Sequence, residues 1–460
     1  MDNALVALFG IKDCDLLKTE EASENGKTYR RISLTYSGSV EEFCPNCGKK
    51  LYKHGTRQLN IVDAPMGGLP VNIDITFPRK RCLDCKTMWK PTFENIDENH
   101  KMTNRAFLDI TQRSLRTTFE DVSNDYMLSP NTVKNVFVEF LEENKENLRF
   151  QTPAFLGIDE IKIKKLGEVT VITDLEHRTL FDMLLGRNQR TLTEYFMNLP
   201  DRENVLWVCS DMYRPFEKSI STAMPNAHWT IDHFHVVMKA NEAVDSVRRK
   251  VQDSMNKKER IQTKRGMAYT LKTRRKGLTL QEAELIRNAR GSAKYQPMAI
   301  AYDLKEAFFD IYDDNPSSKD NAMRAFDEWV QSIPKDEIYD KFRELAGTVY
   351  NFYTQIFQYW DCPIAISNGY TECMNRLIRE NNLRGRGYSF EVLRGRTLYR
   401  KSNLNAIIKN GLAIGPQIDE YAPVFHFDST KEDDEAYEDD DYEPFPEPEN
   451  DGDTETKTTR

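Results

Sequence analysis

The chain has 460 residues, with 64 Lys and Arg against 73 Asp and Glu for a formal charge of -9, a length that holds roughly two to four domains around at least one large apolar core. No apolar run approaches the roughly 18 residues of a membrane span, and the short apolar stretch Ala4 to Ile11 follows Asp2 without a basic leader, so a cytoplasmic protein with no membrane partner is expected. The acidity is local: residues 428–460 hold 15 acidic and 3 basic side chains, a net of -12 within the total of -9, so the rest of the chain carries +3.

Two basic stretches stand out in that remainder. Lys239 to Arg290 holds 15 basic and 6 acidic residues, and Met374 to Lys409 holds 9 and 2. A globular body with such stretches suits a partner rich in phosphate. Of the eight cysteines, four form two Cys-x-x-Cys pairs and the others are scattered, which reads as metal binding in a reducing compartment and not as a disulfide framework.

In chain order, Leu5 to Ile11 predicts a first strand. Two knuckles follow, Cys44-Pro45-Asn46-Cys47 and Cys82-Leu83-Asp84-Cys85. Each presents two thiolates, and together they close a tetrahedral zinc site. The other reading, four unrelated buried thiols, fits the doubled spacing poorly. Between the knuckles, Gly67-Gly68 marks a turn and Val71 to Phe77 alternates as a strand. Residues 1–100 therefore read as a zinc-ribbon domain, with Arg79, Lys80, Arg81, Lys86 and Lys90 as a basic flank.

From Thr103 the period becomes helical. Ala106, Ile110 and Leu115 lie on a first helix, Phe119 to Tyr126 form a second, and Ser129-Pro130 opens a third with Ser129 as N-cap. Residues 101–150 are a helix-turn-helix candidate whose third helix would present Asn131, Thr132, Lys134 and Asn135 to DNA. A plain three-helix connector has the same pattern.

Residues 151–235 alternate strands and helices. Phe155 to Ile163 predicts a strand with Asp159 at its middle, followed by strands over Val169 to Thr173 and Thr179 to Leu185. A helix over Thr191 to Leu199, a strand over Val205 to Cys209 closed by Asp211, a helix from Pro215 to Met224 and a strand over His228 to Ile231 complete the unit. That order is the order of a ribonuclease-H-like α/β core, by analogy of fold. Residues 236–360 read as a helical insertion into it. Residues 361–427 return to the core with Glu372 behind Ser367-Asn368-Gly369-Tyr370-Thr371, then a Gly/Arg loop and a last basic helix from Phe390 to Ile408. Residues 428–460 form an acidic tail too poor in aliphatic residues to fold.

Asp159, Asp211 and Glu372 are the candidate catalytic residues. An acid after a strand is more often a cap or turn residue, but three ordered within one sheet supply the hard, anionic oxygens that Mg2+ or Mn2+ requires. His233 and His235 follow the fifth strand and are placed behind the acids, touching phosphate or positioning water. Arg376 and Arg379 follow Glu372 by four and seven residues, where they clamp a DNA backbone or face solvent.

With the zinc knuckles, the three helices, Gly157-Ile158-Asp159-Glu160, Ser210-Asp211-Met212, Asp232-His233-Phe234-His235 and Ser367-Asn368-Gly369-Tyr370-Thr371-Glu372 in that order, residues 1 to about 410 resemble the ISL-three group of bacterial insertion-sequence transposases. The resemblance implies an Asp-Asp-Glu triad of Asp159, Asp211 and Glu372 on a ribonuclease-H-like fold. It further implies recognition of terminal inverted repeats, magnesium-dependent cleavage at transposon ends, strand transfer into target DNA, a homodimer or larger synaptic assembly, and a nucleoid-associated protein. A transposase-derived DNA-binding regulator without cleavage is the alternative, and a structure-selective nuclease on the same fold is a further one.

Overall fold

The structure, a computed structural model, describes residues 9–144, 149–315 and 318–414. Most of the strand expected over Leu5 to Ile11 and the whole acidic tail lie outside those residues, and Phe9 to Ile11 are not strand.

The N-terminal part is a larger sheet than a ribbon alone. β1 (Cys14–Glu24), β2 (Lys27–Tyr36), β3 (Leu51–Met66), β4 (Leu69–Cys82), β5 (Met88–Trp89), β6 (Ile96–Asp97) and β7 (Met102–Thr103) make a seven-stranded sheet of order β1-β2-β4-β3-β7-β6, with β5 on β4. Alternate residues Val71, Ile73, Ile75 and Phe77 of β4 are buried against Ile32, Leu34 and Ile61, the period-two burial that the sequence pattern predicts. The β3–β4 turn needs Gly67 and Gly68, both at positive φ (63° and 78°), where a side chain would be strained. Sequence reading missed β1 because its residues Leu17 to Glu24 are charged or exposed along most of their length.

α1 (Asn104–Ser114), α2 (Phe119–Tyr126) and α3 (Pro130–Asn144) follow. Each has a side-chain cap: Thr103 accepts from the Ala106 amide, Thr118 and Asp121 form a capping box, and Ser129 Oγ accepts from the Thr132 amide at 3.0 Å. The three pack on Ile110, Tyr126, Val133, Phe137 and Phe140. Buried Asp63 of β3 holds α1 to the sheet, accepting from Thr103 Oγ1 at 2.6 Å and Arg105 Nε at 2.7 Å. His100 joins the sheet to α3, its ring nitrogens lying 2.6 Å from Asp97 and 3.0 Å from Glu139.

β8 (Arg149–Phe150) leads into the second sheet, made by β9 (Phe155–Ile163), β10 (Gly167–Asp174), β11 (Thr179–Leu185), β12 (Trp207–Ser210) and β13 (His228–Ile231) in the order β11-β10-β9-β12-β13. β9, β10 and β11 are antiparallel, whereas β12 runs parallel to β9 and β13 parallel to β12. Helices α4 (Gln189–Met197) and α5 (Arg214–Ala223) cover one face. That core continues without a break into α6 (His233–Gln252), α7 (Lys257–Thr270), α8 (Leu280–Arg290), α9 (Gln296–Asp313), α10 (Lys319–Ser332), α11 (Asp340–Asn351) and α12 (Tyr353–Phe357). The chain then returns as α13 (Gly369–Arg384), α14 (Phe390–Leu398) and α15 (Lys401–Lys409), which pack with α1 to α3 on the other face, before β14 (Ala413–Ile414) pairs with β8.

The single helix expected over Phe390 to Ile408 is two. Arg400 is extended (φ -60°, ψ 139°) and caps the second. Asn403 fixes the break: its side chain accepts from the Leu180 amide (2.7 Å) and donates to the carbonyls of Leu180 (3.1 Å) and Leu398 (2.9 Å). These bonds satisfy backbone groups of the edge strand β11 that would otherwise be buried and unpaired.

Candidate active site and zinc centre

The thiols of Cys44, Cys47, Cys82 and Cys85 converge at the open end of the β3–β4 hairpin, where β3 begins and β4 ends, opposite its Gly67-Gly68 turn. Their sulfurs lie 3.5 Å (Cys44–Cys85), 3.5 Å (Cys47–Cys82) and 3.4 Å (Cys47–Cys85) apart. These are far beyond a disulfide bond and near the roughly 3.8 Å edge of a tetrahedron of zinc–sulfur bonds. Within the cluster the Thr87 hydroxyl and amide hold the Cys85 thiol down to about 6 while the neighbouring thiols push Cys47 up to about 12, so the Cys85 side is the one readiest to become the thiolate that zinc needs. The four residues fit zinc.

At the second site, sheet register does most of the positioning. Ile158 of β9, Ser210 of β12 and Ile231 of β13 are level with one another. The next residue on each strand path is an acid: Asp159, Asp211 and Asp232. Carboxy-terminal strand ends are where open α/β sheets hold ligands. Glu372 arrives from the first turn of α13. Gly157 lets that helix sit close, since a Cβ there would come within 2.5 Å of Thr371 Oγ1 and 2.6 Å of Thr173 Oγ1. Asn368, fully buried, bonds the helix start to the Ile158 carbonyl at 3.0 Å and gives its amide to Asp232 Oδ1 at 3.3 Å. About two turns after Asn368, Asn375 Nδ2 donates to Asp159 Oδ2 at 2.6 Å.

The acids share one electrostatic field, in which Asp159 acts on both Asp211 and Glu372. Burial pushes Asp159 above the usual carboxylate range, opposed by hydrogen bonds from the Glu160 amide and Asn375 and by His235. Burial likewise takes Asp211 up to about 6, with Asp159 and Glu160 adding to it. Glu372 rises to about 7 through burial and then through Asp232 and Asp159. Several buried polar atoms in this region have no hydrogen-bond partner: Asp211 Oδ1, Asp232 Oδ2, His235 Nε2, Glu160 Oε2 and Asn375 Oδ1. Carboxylates gathered in this way repel one another unless a cation lies among them. The donors fit hard divalent ions.

The two histidines part company. His235 turns to Glu372, its Nε2 4.0 Å from Oε1, whereas His233, with Nδ1 3.6 Å from Asp232 Oδ1, rests its ring against Tyr312 (5.8 Å) and Tyr359 (5.6 Å) of the helical segment. Arg376 and Arg379 are exposed on α13, Arg376 reaching Glu380 at 3.4 Å. Asn131, Lys134 and Asn135 are exposed on α3 and Thr132 is half-buried, all ahead of β9, the first strand of the core. Lys134 and Asn135 line an open groove of about 480 Å³ with Glu139, Glu142, Ser389 and Glu391. Asp232, Asn368 and Asn375 are the residues that the sequence reading did not single out. For Asp232 the signal was present: it closes the fifth strand as Asp211 closes the fourth.

The family model of the ISL3 type described as "Transposase" matches residues 156–397. A second, described as "zinc-finger of transposase IS204/IS1001/IS1096/IS1165", matches residues 41–85. A search of curated proteins gave no match. Among the described residues, no helix is long and apolar enough to cross a membrane.

Proposed function

Because the chain belongs to the ISL3 group of insertion-sequence transposases, we propose that it binds the terminal inverted repeats of its element, cuts DNA there and joins the freed ends to target DNA. The observation that carries this reading is the shared register at the ends of β9 and β12 that carry Asp159 and Asp211, with Glu372 on a helix that Asn368 and Asn375 tie to β9. The strand order β11-β10-β9-β12-β13, three antiparallel strands followed by two parallel ones, supports a ribonuclease-H-like core with the helices of residues 236–360 inserted after its fifth strand.

Asp159, Asp211 and Glu372 would hold the divalent ions, Mg2+ or Mn2+. When bound, such ions neutralise the charge of a phosphodiester and raise the reactivity of the attacking hydroxyl. The chain's own residues do the positioning. Asn375 and the Glu160 amide fix both oxygens of Asp159, and Asn368 ties the Glu372 helix to β9. In the reaction, a water oxygen gives up a proton and bonds to phosphorus as the P–O3′ bond breaks, and the departing oxygen takes up a proton from solvent to become a 3′-hydroxyl. In the second step that hydroxyl attacks a target phosphodiester, whose own 3′ oxygen leaves. No protein nucleophile is required.

The capped trihelical unit supports a helix-turn-helix. The second half of α3 packs under α14, with Leu141 filling the space left by Gly395. Its first turns, with Asn131, Thr132, Lys134 and Asn135, stay open for base edges. The zinc ribbon, Arg376, Arg379 and the basic helices would hold backbone phosphates. Two ends must be held together, so a homodimer or larger assembly on the nucleoid, in the cytoplasm, follows from this reading. The test is incubation of the purified protein with Mg2+ and a duplex carrying the element's own terminus. A cut at the terminus with a free 3′-hydroxyl, and joined products with target plasmid, are expected. Binding without any cut under Mg2+ or Mn2+ would favour the regulator.

A further inference from the structure

Asp232 and His235 sit at the heart of the site, yet the triad reading gives neither of them a ligand role. We propose that Asp232, His235 and Glu372 form a cation position of mixed oxygen and nitrogen donors, beside the all-oxygen position of Asp159 and Asp211, and that this position takes Mn2+ in preference to Mg2+.

Four observations carry the proposal. One ligand atom from each of the three residues lies within 4.8 Å of the others. His235 Nε2 is 4.0 Å from Glu372 Oε1, too far for a hydrogen bond and just inside the roughly 4.2 Å that two ligands on opposite sides of one ion can span at about 2.1 Å each. Asp232 is fully buried, with one oxygen receiving the Asn368 amide and the other, Oδ2, left without a partner. His235 Nε2 is equally unpartnered. A fully buried carboxyl group with one oxygen left unpartnered is costly in a folded chain unless something meets that oxygen. No Lys or Arg within salt-bridge range of Asp232 is found among the described residues; the contact at 3.6 Å is His233 Nδ1. An imidazole ligand disfavours Mg2+, which holds to hard oxygens, and favours first-row transition ions, of which Mn2+ also accepts carboxylates.

The position would make Glu372 the shared ligand of two ions, with His235 setting which metal fills the second. Its part in strand cleavage rests on the reading above; the existence of the position does not. The test is Mn2+ titration of the full-length, zinc-loaded protein followed by electron spin resonance, with pulsed measurements that detect a nitrogen directly bonded to manganese. The wild type is expected to bind two Mn2+ per chain and to show nitrogen coupling. His235→Ala and His235→Gln should lose the coupling and weaken one of the two ions about tenfold or more. Asp232→Asn, which keeps an oxygen for the Asn368 amide, should weaken the same ion, and Asp159→Asn the other. Absence of nitrogen coupling in the wild type at saturating Mn2+ would overturn the proposal, and so would unchanged binding in folded His235→Gln protein. Because His100 stands in a separate cluster with Asp97 and Glu139, the spectrum is also taken on His100→Gln protein; should both His235 variants fail to fold, the nitrogen coupling that remains or is lost there decides. Magnesium-supported cleavage without nitrogen coupling would sink this position and leave the transposase reading standing. Coupling without cleavage of any duplex would do the reverse.

Discussion

Replacing Glu372 by Gln should stabilise the protein when no divalent ion is present, in a pH window that its surroundings set. Burial first, then Asp232 and Asp159, raise its carboxyl from 4.5 to about 7. Below about pH 4.5 the folded and unfolded chains are both protonated there, and the contribution is zero. Between the two values the folded chain keeps a proton that the unfolded chain has lost. Above about 7 the folded chain carries the full penalty of an ionised, crowded acid, so stability falls as pH rises through the window. The shift corresponds to about 3 kcal/mol. The side chain is 26% exposed, and solvent screening lowers the figure to about 1–2 kcal/mol. Glu372→Gln removes that penalty. In magnesium-free and manganese-free buffer its melting temperature should exceed that of the wild type by a few degrees at pH 8, with the gap closing toward pH 4.5. Adding Mn2+ should reverse the order at pH 8, since only the wild type offers the carboxylate. A Gln variant no more stable than wild type at pH 8, or an advantage unchanged at low pH, would refute the reasoning.

Two further predictions concern the parts that would deliver DNA to the site. Cys82 is fully buried at the zinc knuckle, so Cys82→Ser should reduce zinc from near one per chain toward none and loosen residues 40–90, as read by elemental analysis and hydrogen exchange; retained zinc would contradict the four-thiol site. Arg396 is buried between the two halves of the molecule, donating to the carbonyls of Ser114 and Thr117 and lying over the rings of Tyr388 and Phe119. Arg396→Ala leaves those carbonyls at the end of α1 unpaired and should cost about 2–4 kcal/mol. Limited proteolysis should then cut within residues 104–144 sooner than in wild type, and an unchanged rate would mean that the helices are held by other contacts.

Much of the core was legible because its strands are buried and its acids interrupt them. The run Phe155 to Ile163 with Asp159 inside it reads the same in sequence and in structure, and Ser129-Pro130 announced the start of α3. What sequence reading did not reach depends on long-range contacts. β1 is a charged hairpin strand whose pairing comes from β2 and not from its own pattern. The break at Arg400 exists because Asn403 must reach Leu180, 223 residues away in sequence. Asn368 and Asn375 read as ordinary polar helix residues until β9 is laid beneath them. His233 and His235 look equivalent two residues apart, and only the helical wall of Tyr312 and Tyr359 separates their roles.

The most direct test of the central claim compares wild type and Asp211→Asn on one duplex that carries the element's terminus, with end cleavage in Mg2+ and a gel shift measured side by side. The substitution keeps the shape of the side chain at the end of β12 and removes the charge that a cation needs. Cleavage should fall about 100- to 1000-fold or more, while binding, which on the proposed reading would draw on the zinc ribbon and α3, should stay within about twofold. Cleavage by Asp211→Asn at the wild-type rate would contradict the assignment of the carboxylates as the cutting site.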